Sequence, residues 1–137
     1  MEDESVFERV IQDVINAMPQ QYASIVIGAM PAENGICCAF AGGVIEKKYL
    51  RSTSVQYNMS VVLNAKHESQ AMAELALGSL HASLLRMKRF QPNEEYRIIK
   101  IQTQNAPSFA GREENGQWLY TSSISVSFSY YGKEGIA

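Results

Sequence analysis

His67 and His81 are the only imidazoles in the chain, and serines are common around them. A nucleophilic hydroxyl needs a base within hydrogen-bond reach and a third group that orients the base. No nucleophile-elbow pattern such as G-x-S-x-G accompanies either histidine. His67, at a strand-to-helix junction, and His81, inside a long helix, therefore read as structural or solvent-facing. Glu94 with Glu95 and Glu113 with Glu114 are adjacent acids in turns, a pattern of solvated surface rather than of a general acid/base pair. No C-x-x-C, H-E-x-x-H or EF-hand loop occurs, so no metal is expected, and no catalytic group or cofactor either. Cys37 and Cys38 are neighbours and point to opposite faces of a strand, which makes a mutual disulfide unfavourable and buried thiols the expectation.

A phosphate cradle needs backbone N–H groups converging before a helix, but Gly42 and Gly43 lead into Val44 and Ile45. Lys47, Lys48 and Arg51, with Tyr49 between them, form the densest basic patch. It reads as a charged hairpin tip, or as a contact for phosphates or an acidic partner. A net charge of -2 gives no global positive field to gather nucleic acid. No apolar run approaches the roughly 20 residues of a membrane helix. The acidic start MEDESVFERV has no basic or apolar signal region, so no membrane partner and a cytoplasmic address are expected. With 137 residues, 46% hydrophobic and 19% charged, the chain predicts one globular domain over 1–137.

The elements that must carry these groups follow from periodicity. Ser5 and Glu8 have capping-box spacing, and Val6, Phe7, Val10, Ile11, Val14, Ile15 and Met18 recur at helical intervals up to Pro19. Residues 24–28 read as a strand. Between 31 and 53, Asn34-Gly35 and Gly42-Gly43 signal turns around two short apolar pieces, 36–40 and 44–50, as a hairpin or excursion. From Val55 an apolar face (Val55, Tyr57, Met59, Val61, Leu63) alternates with an uncharged polar one (Ser54, Gln56, Asn58, Ser60, Asn64). Ser69 caps a long helix whose expected core stripe is Met72, Leu75, Ala76, Leu80, Leu84 and Met87, with Lys88 and Arg89 at its end before Pro92. Residues 96–104 form another strand. Asn115-Gly116 has type I′ turn chemistry, folding 109–114 against 117–122, and 132–137 reads as a frayed tail. The order predicts an α+β fold, an antiparallel or mixed β-sheet packed against two main helices.

The last strand, within GQWLYTSSISVSFSY at 116–130, places Tyr120, Ile124, Val126, Phe128 and Tyr130 on one face and Thr121, Ser123, Ser125, Ser127 and Ser129 on the other. Faces and edges left in water usually carry charge, which discourages pairing with other chains. This one carries none. Either neighbouring subunits cover it, or its hydroxyls simply face water.

The run from Gly42 to Tyr49 (GGVIEKKY), then 55–59 (VQYNM), and 106–118 (APSFAGREENGQW) with the alternating last strand resemble the small minor capsid proteins of the head-to-tail region of long-tailed phages and prophages of Gram-positive bacteria. The likeness spans roughly residues 40–131. The element order is also similar to that of tail-terminator proteins, small α+β subunits that form a ring at the head-proximal end of the tail tube.

The resemblance implies a non-enzymatic virion assembly protein, a tail terminator at the tail-head junction, assembled in the host cytoplasm. Its implied partners are further copies of itself in a ring, a hexamer by resemblance, together with the tail tube protein and head connector proteins, while DNA passes through without specific binding. Such a ring stops polymerisation when one face matches the tube and the other does not. Lys47, Lys48, Tyr49 and Arg51, with Arg112, Glu113, Glu114 and Trp118, are the candidate subunit or partner interface. Another neck or minor capsid component joining head and tail is the first alternative; a small-ligand-binding α+β domain with a pocket between sheet and helix is the second.

Overall fold

A computed structural model describes residues 2–19, 21–46, 55–87, 91 and 96–130. Its elements are α1 (Glu2–Asn16), β1 (Ile25–Ile27), β2 (Ile36–Glu46), β3 (Val55–His67), α2 (Gln70–Leu85), β4 (Tyr96–Arg112) and β5 (Trp118–Tyr130). The strands form one sheet in the order β1-β2-β3-β5-β4. β1 runs parallel to β2 and every other pairing is antiparallel, so of the two expected sheets the mixed one is found, within the expected α+β architecture.

Both helices lie on one side of the sheet. Val10, Ile11 and Val14 of α1 are buried and Ile15 and Met18 pack beside them, as their spacing predicts. The helix starts at Glu2, ahead of Ser5, so the expected capping box falls inside the helix. In α2 the Ser69 hydroxyl does accept from the Met72 N–H at 3.4 Å, as an N-cap should. The expected core stripe is misphased: the buried residues are Ala73, Ala76, Leu77, Leu80, His81 and Leu84, while Met72 and Leu75 are exposed. Apolar residues surround much of α2, so periodicity alone does not select the face that meets the sheet.

The core lies between these helices and the inner sheet face, where Tyr57, Met59, Val61 and Leu63 of β3 stand beside Tyr120, Ile124, Val126 and Phe128 of β5. Phe128 is fully buried, stacked on Tyr57 at a centroid distance of 5.4 Å and edge-on to Tyr96 at 5.9 Å.

Three further expectations change. Gly42-Gly43 makes no turn; it lies within β2 where the register with β3 shifts between Phe40 and Gly42, and Gly42 has a φ of 142°. Bulges and tight turns both recruit glycine for positive φ, so the sequence signal is shared. The expected strands 96–104 and 109–114 are largely one strand, β4, which passes through Pro107 because it is an edge strand and its register carries several bulges. Asn115-Gly116 closes the β4–β5 hairpin without a type I′ turn. Gly116 has positive φ (87°) but Asn115 does not, and the Gly116 N–H donates to the Glu113 carbonyl at 2.9 Å while the Glu113 N–H donates to the Gln117 carbonyl at 2.8 Å. This is a three-residue loop with glycine in the left-handed position. Lys88, Arg89, Pro92, Glu94, Glu95 and the 132–137 tail lie outside the described residues.

Candidate interaction surface

The side of the sheet away from the helices is built in rows. Across β3, β5 and β4 the register aligns Asn58, Ser127 and Lys100; Ser60, Ser125 and Gln102; Val62, Ser123 and Asn105; and Asn64, Thr121 and Ser108. In these rows the only charge is Lys100, with Arg97 one row beyond it opposite Ser129. On β3 and β5 and at Lys100 and Gln102 of β4 the polarity follows from strand alternation, since each of these residues neighbours one committed to the core; Asn105 and Ser108 lie on the outer half of β4, where the neighbouring residues are not buried.

β5 is an interior strand, paired on both sides, so it has no edge that charge would need to protect. Its hydroxyls are small because longer side chains on the flanking strands lean over them. Ser123, Ser127 and Ser129 are buried within the single chain. Asn105 Nδ2 donates to Ser123 Oγ at 2.8 Å, the Ser127 hydroxyl donates to Asn58 Oδ1, and Gln104 Nε2 reaches across β5 to Ser60 Oγ at 2.9 Å. Thr121 Oγ1 donates to the Leu63 carbonyl at 3.3 Å. Only the Ser129 hydroxyl is buried with no hydrogen-bond partner among the described residues. The surface is an amide and hydroxyl layer that largely satisfies itself.

The β4–β5 hairpin carries the other candidate groups. Arg112 lies over the Trp118 ring, 4.7 Å from its centroid, a cation–π contact. Phe109 stands beside both Trp118 and Tyr120, with centroids at 5.8 and 5.7 Å, and is itself 52% exposed. Glu113 turns inward to Lys66 Nζ at 3.0 Å, while Glu114 is exposed at the turn. Arg112 and Trp118 are thus brought together and Glu113 is drawn into an internal ion pair. Lys47, Lys48, Tyr49 and Arg51 lie outside the described residues.

The loop before β2 holds this hairpin in place. Asn34, at a φ of 44°, donates its N–H to Gln117 Oε1 at 2.7 Å, its Oδ1 accepts from the Glu68 N–H at 3.1 Å, and Asn115 Nδ2 donates to the Ala32 carbonyl at 3.3 Å. The sequence gives little sign of these three contacts, which join residues far apart in the chain.

The groups weighed for catalysis are used structurally. His81 is buried between Ser122 Oγ (2.9 Å from Nδ1) and Thr103 Oγ1 (2.8 Å from Nε2), and burial lowers its pKa. His67 Nδ1 accepts from the Ser69 N–H at 2.9 Å at the start of α2. Cys37 and Cys38 are free and buried, as expected; burial pushes Cys38 up to about 12 and raises Cys37 as well. The space between helices and sheet is lined by Ile11, Val14, Met59, Leu84, Ile124 and Val126 among other apolar side chains, and belongs to the core.

A family model described as bacteriophage tail terminator protein matches residues 9–130, from within α1 to the last residue of β5. The chain belongs to the bacteriophage tail terminator family. No curated protein matches it in sequence. The tail terminator role is structural, at the junction where the tail joins the head, and involves no catalysis. The matched span contains every core strand, the hydroxyl and amide rows and the hairpin cluster, so the expected fold and role agree with the family.

Proposed function

We propose that this tail terminator works as a ring of identical subunits, a hexamer by resemblance, seated between the last ring of tail tube protein and the head connector proteins. Each subunit is one domain over 1–137, and assembly takes place in the host cytoplasm. Ring closure and mismatched upper and lower faces supply the mechanism: one face accepts the tube, and the other does not repeat it, so the tube stops growing. Arg112, Glu114 and Trp118, with Lys47, Lys48, Tyr49 and Arg51, supply contacts to neighbours or partners, and Glu113 supports them from its place beside Lys66.

The observation that carries this reading is the hydroxyl and amide layer on the open side of the sheet, whose rows across β3, β5 and β4 carry charge only at Lys100, with Arg97 beyond it at the same end. Its hydroxyls and amides already bond to one another, so it needs no covering subunit to satisfy them. We assign it to the passage for DNA. A face lined throughout with lysine or arginine would hold phosphates through counterion release, and carboxylates would repel them; the hydroxyls and amides that make up most of this face do neither strongly, and its cations, Lys100 and Arg97, are confined to one end.

Electron microscopy of tubes assembled from purified tube protein tests the function. With this chain added, tubes should end in a terminal ring and cease to lengthen. Tubes that continue to grow with the chain incorporated along them would sink the terminator mechanism.

A further inference from the structure

The cations at one end of the open sheet face occupy neighbouring rows. Arg97 of β4 stands opposite Ser129 of β5, which stands opposite Gln56 of β3; Lys100 stands opposite Ser127, which stands opposite Asn58. Tyr96 and Ile98 are buried in the core, so Arg97 between them faces the open side. The register shift between Ile98 and Lys100 adds one residue to β4 there, which returns Lys100 to the same side as Arg97. Both cations are exposed, and neither side chain has an ion-pair or hydrogen-bond partner among the described residues. The acid of the Arg97 row is Glu46 of β2, opposite Gln56 and three strands from Arg97, which separates their backbones by roughly 14 Å.

Ser129 touches on both cations by position. It is directly across from Arg97 and diagonal to Lys100, spacings that long side chains reach across. It is fully buried, and its hydroxyl is the buried side-chain group left without a hydrogen-bond partner among the described residues. Ser123 and Ser127 of the same strand show the ordinary solution, each bonded to an amide on a flanking strand. A buried donor left unpaired beside unpaired cations calls for an acceptor that carries negative charge.

We propose that this corner of the sheet is a phosphate-binding site, in which Arg97 and Lys100 hold the anion and the Ser129 hydroxyl donates to one of its oxygens. The guanidinium fork matches two phosphate oxygens and the ammonium adds a point charge. Donors arriving from two strands suit a tetrahedral oxyanion, whose oxygens point in several directions, better than a planar carboxylate. Arg97 is exposed, and its long side chain can swing out and close again over the anion, which brings an acceptor to a hydroxyl that is otherwise covered. The phosphate belongs either to a nucleic-acid backbone or to free inorganic phosphate. The site lies at one end of the face assigned to DNA but does not rest on that assignment. One phosphate contact per subunit is a weak hold beside the several that let a protein retain a duplex.

Phosphorus NMR of inorganic phosphate mixed with the full chain tests the site, with ionic strength held constant by sodium chloride. The phosphate signal should broaden and shift at millimolar concentration. Arg97→Gln and Lys100→Gln should each weaken binding by about tenfold or more, and Ser129→Ala by a smaller factor, as charged and neutral hydrogen bonds differ. Thermal unfolding gives an independent readout: phosphate should raise the wild-type midpoint and leave the Arg97→Gln, Lys100→Gln double variant unmoved. Both cations are exposed, so the double variant should fold even if Ser129→Ala disturbs the strand. A short single-stranded oligonucleotide at low salt distinguishes the sources. Binding that the same variants weaken assigns the site to backbone phosphate, and binding of inorganic phosphate alone assigns it to the free anion. A wild-type chain that ignores phosphate, or a double variant that binds it equally well, would overturn the site. A tri-aspartate peptide that binds as tightly as phosphate, and is lost with the same variants, would overturn the assignment to phosphate.

Discussion

The Nδ1 atom of His81 lies 2.9 Å from the hydroxyl of Ser122, while Nε2 of the same ring lies 2.8 Å from the hydroxyl of Thr103. A neutral imidazole donates through one nitrogen and accepts at the other, and both hydroxyls can rotate to complement it. Burial holds the folded-state pKa below the usual 6.5. As pH falls, the unfolded chain therefore takes up the proton first. The stabilisation tied to this group is complete above about 6.5 and is lost as pH falls from there through the lower folded value. Urea unfolding between pH 7.5 and 4.5 should show a steeper loss for the wild type than for His81→Asn. Equal slopes would remove His81 as a source of acid sensitivity. His81→Leu should cost roughly 1 to 3 kcal/mol at pH 7.5, because two hydroxyls lose their partner.

Lys66 presents a different electrostatic problem. Its side chain is buried and its ammonium meets Glu113, which is 41% exposed, at 3.0 Å. Removing one partner from a fully buried pair costs about 3 to 5 kcal/mol, and the solvent access of Glu113 reduces that here. Glu113→Gln should lower unfolding stability by roughly 1 to 3 kcal/mol, and Lys66→Met in the same chain should recover part of the loss. If Glu113→Gln instead leaves stability unchanged and weakens assembly, Glu113 belongs to an interface and not to the subunit's own scaffold.

Phe128 is fully buried between Tyr57 and Tyr96, and the Tyr96 hydroxyl donates to Asp13 of α1 at 2.9 Å. Truncation would open a cavity where β3, β4 and β5 meet beneath the first helix. Phe128→Ala should cost about 3 to 5 kcal/mol in denaturant unfolding. A loss under about 1 kcal/mol would mean that the aromatic cluster does not form as described.

These residues also show where sequence reading succeeds and where it fails. The two faces of β3 and β5 were legible because each strand is buried on one side only, so alternation maps directly onto core and open face. α2 was legible as a helix but not in phase: Leu75 and Met72 satisfy apolar periodicity while lying outside the core. Gly42 signals a turn but makes a bulge, since both use the same backbone freedom. Of the candidate surface, Arg112 and Trp118 were identified, but Phe109 was not, because exposure of an edge-strand aromatic depends on which strand lies beyond it. The Lys66–Glu113 and Asn34–Gln117 contacts depend on tertiary placement of distant loops, which local pattern does not encode.

A neutral row of the open sheet face gives the last prediction. If Ser60, Ser125 and Gln102, which share one row across β3, β5 and β4, border the path of DNA, their neutrality is what keeps the genome from being held. The triple variant Ser60→Lys, Ser125→Lys, Gln102→Lys should fold, since these side chains are half-buried or exposed and their row lies away from the core. It changes the formal charge of the subunit from -2 to a positive value. Wild-type rings should show little retention of duplex DNA at 0.15 M salt. Variant rings should retain it, with the logarithm of the binding constant falling against the logarithm of salt by about 0.9 for each phosphate neutralised. Filter binding over a salt series, with sedimentation of the same samples to establish that rings persist, measures both quantities. Variant rings that stay intact and still ignore DNA would place this row away from the passage. Wild-type rings that bind duplex DNA tightly with a steep salt slope would show that the passage is lined by other, cationic residues.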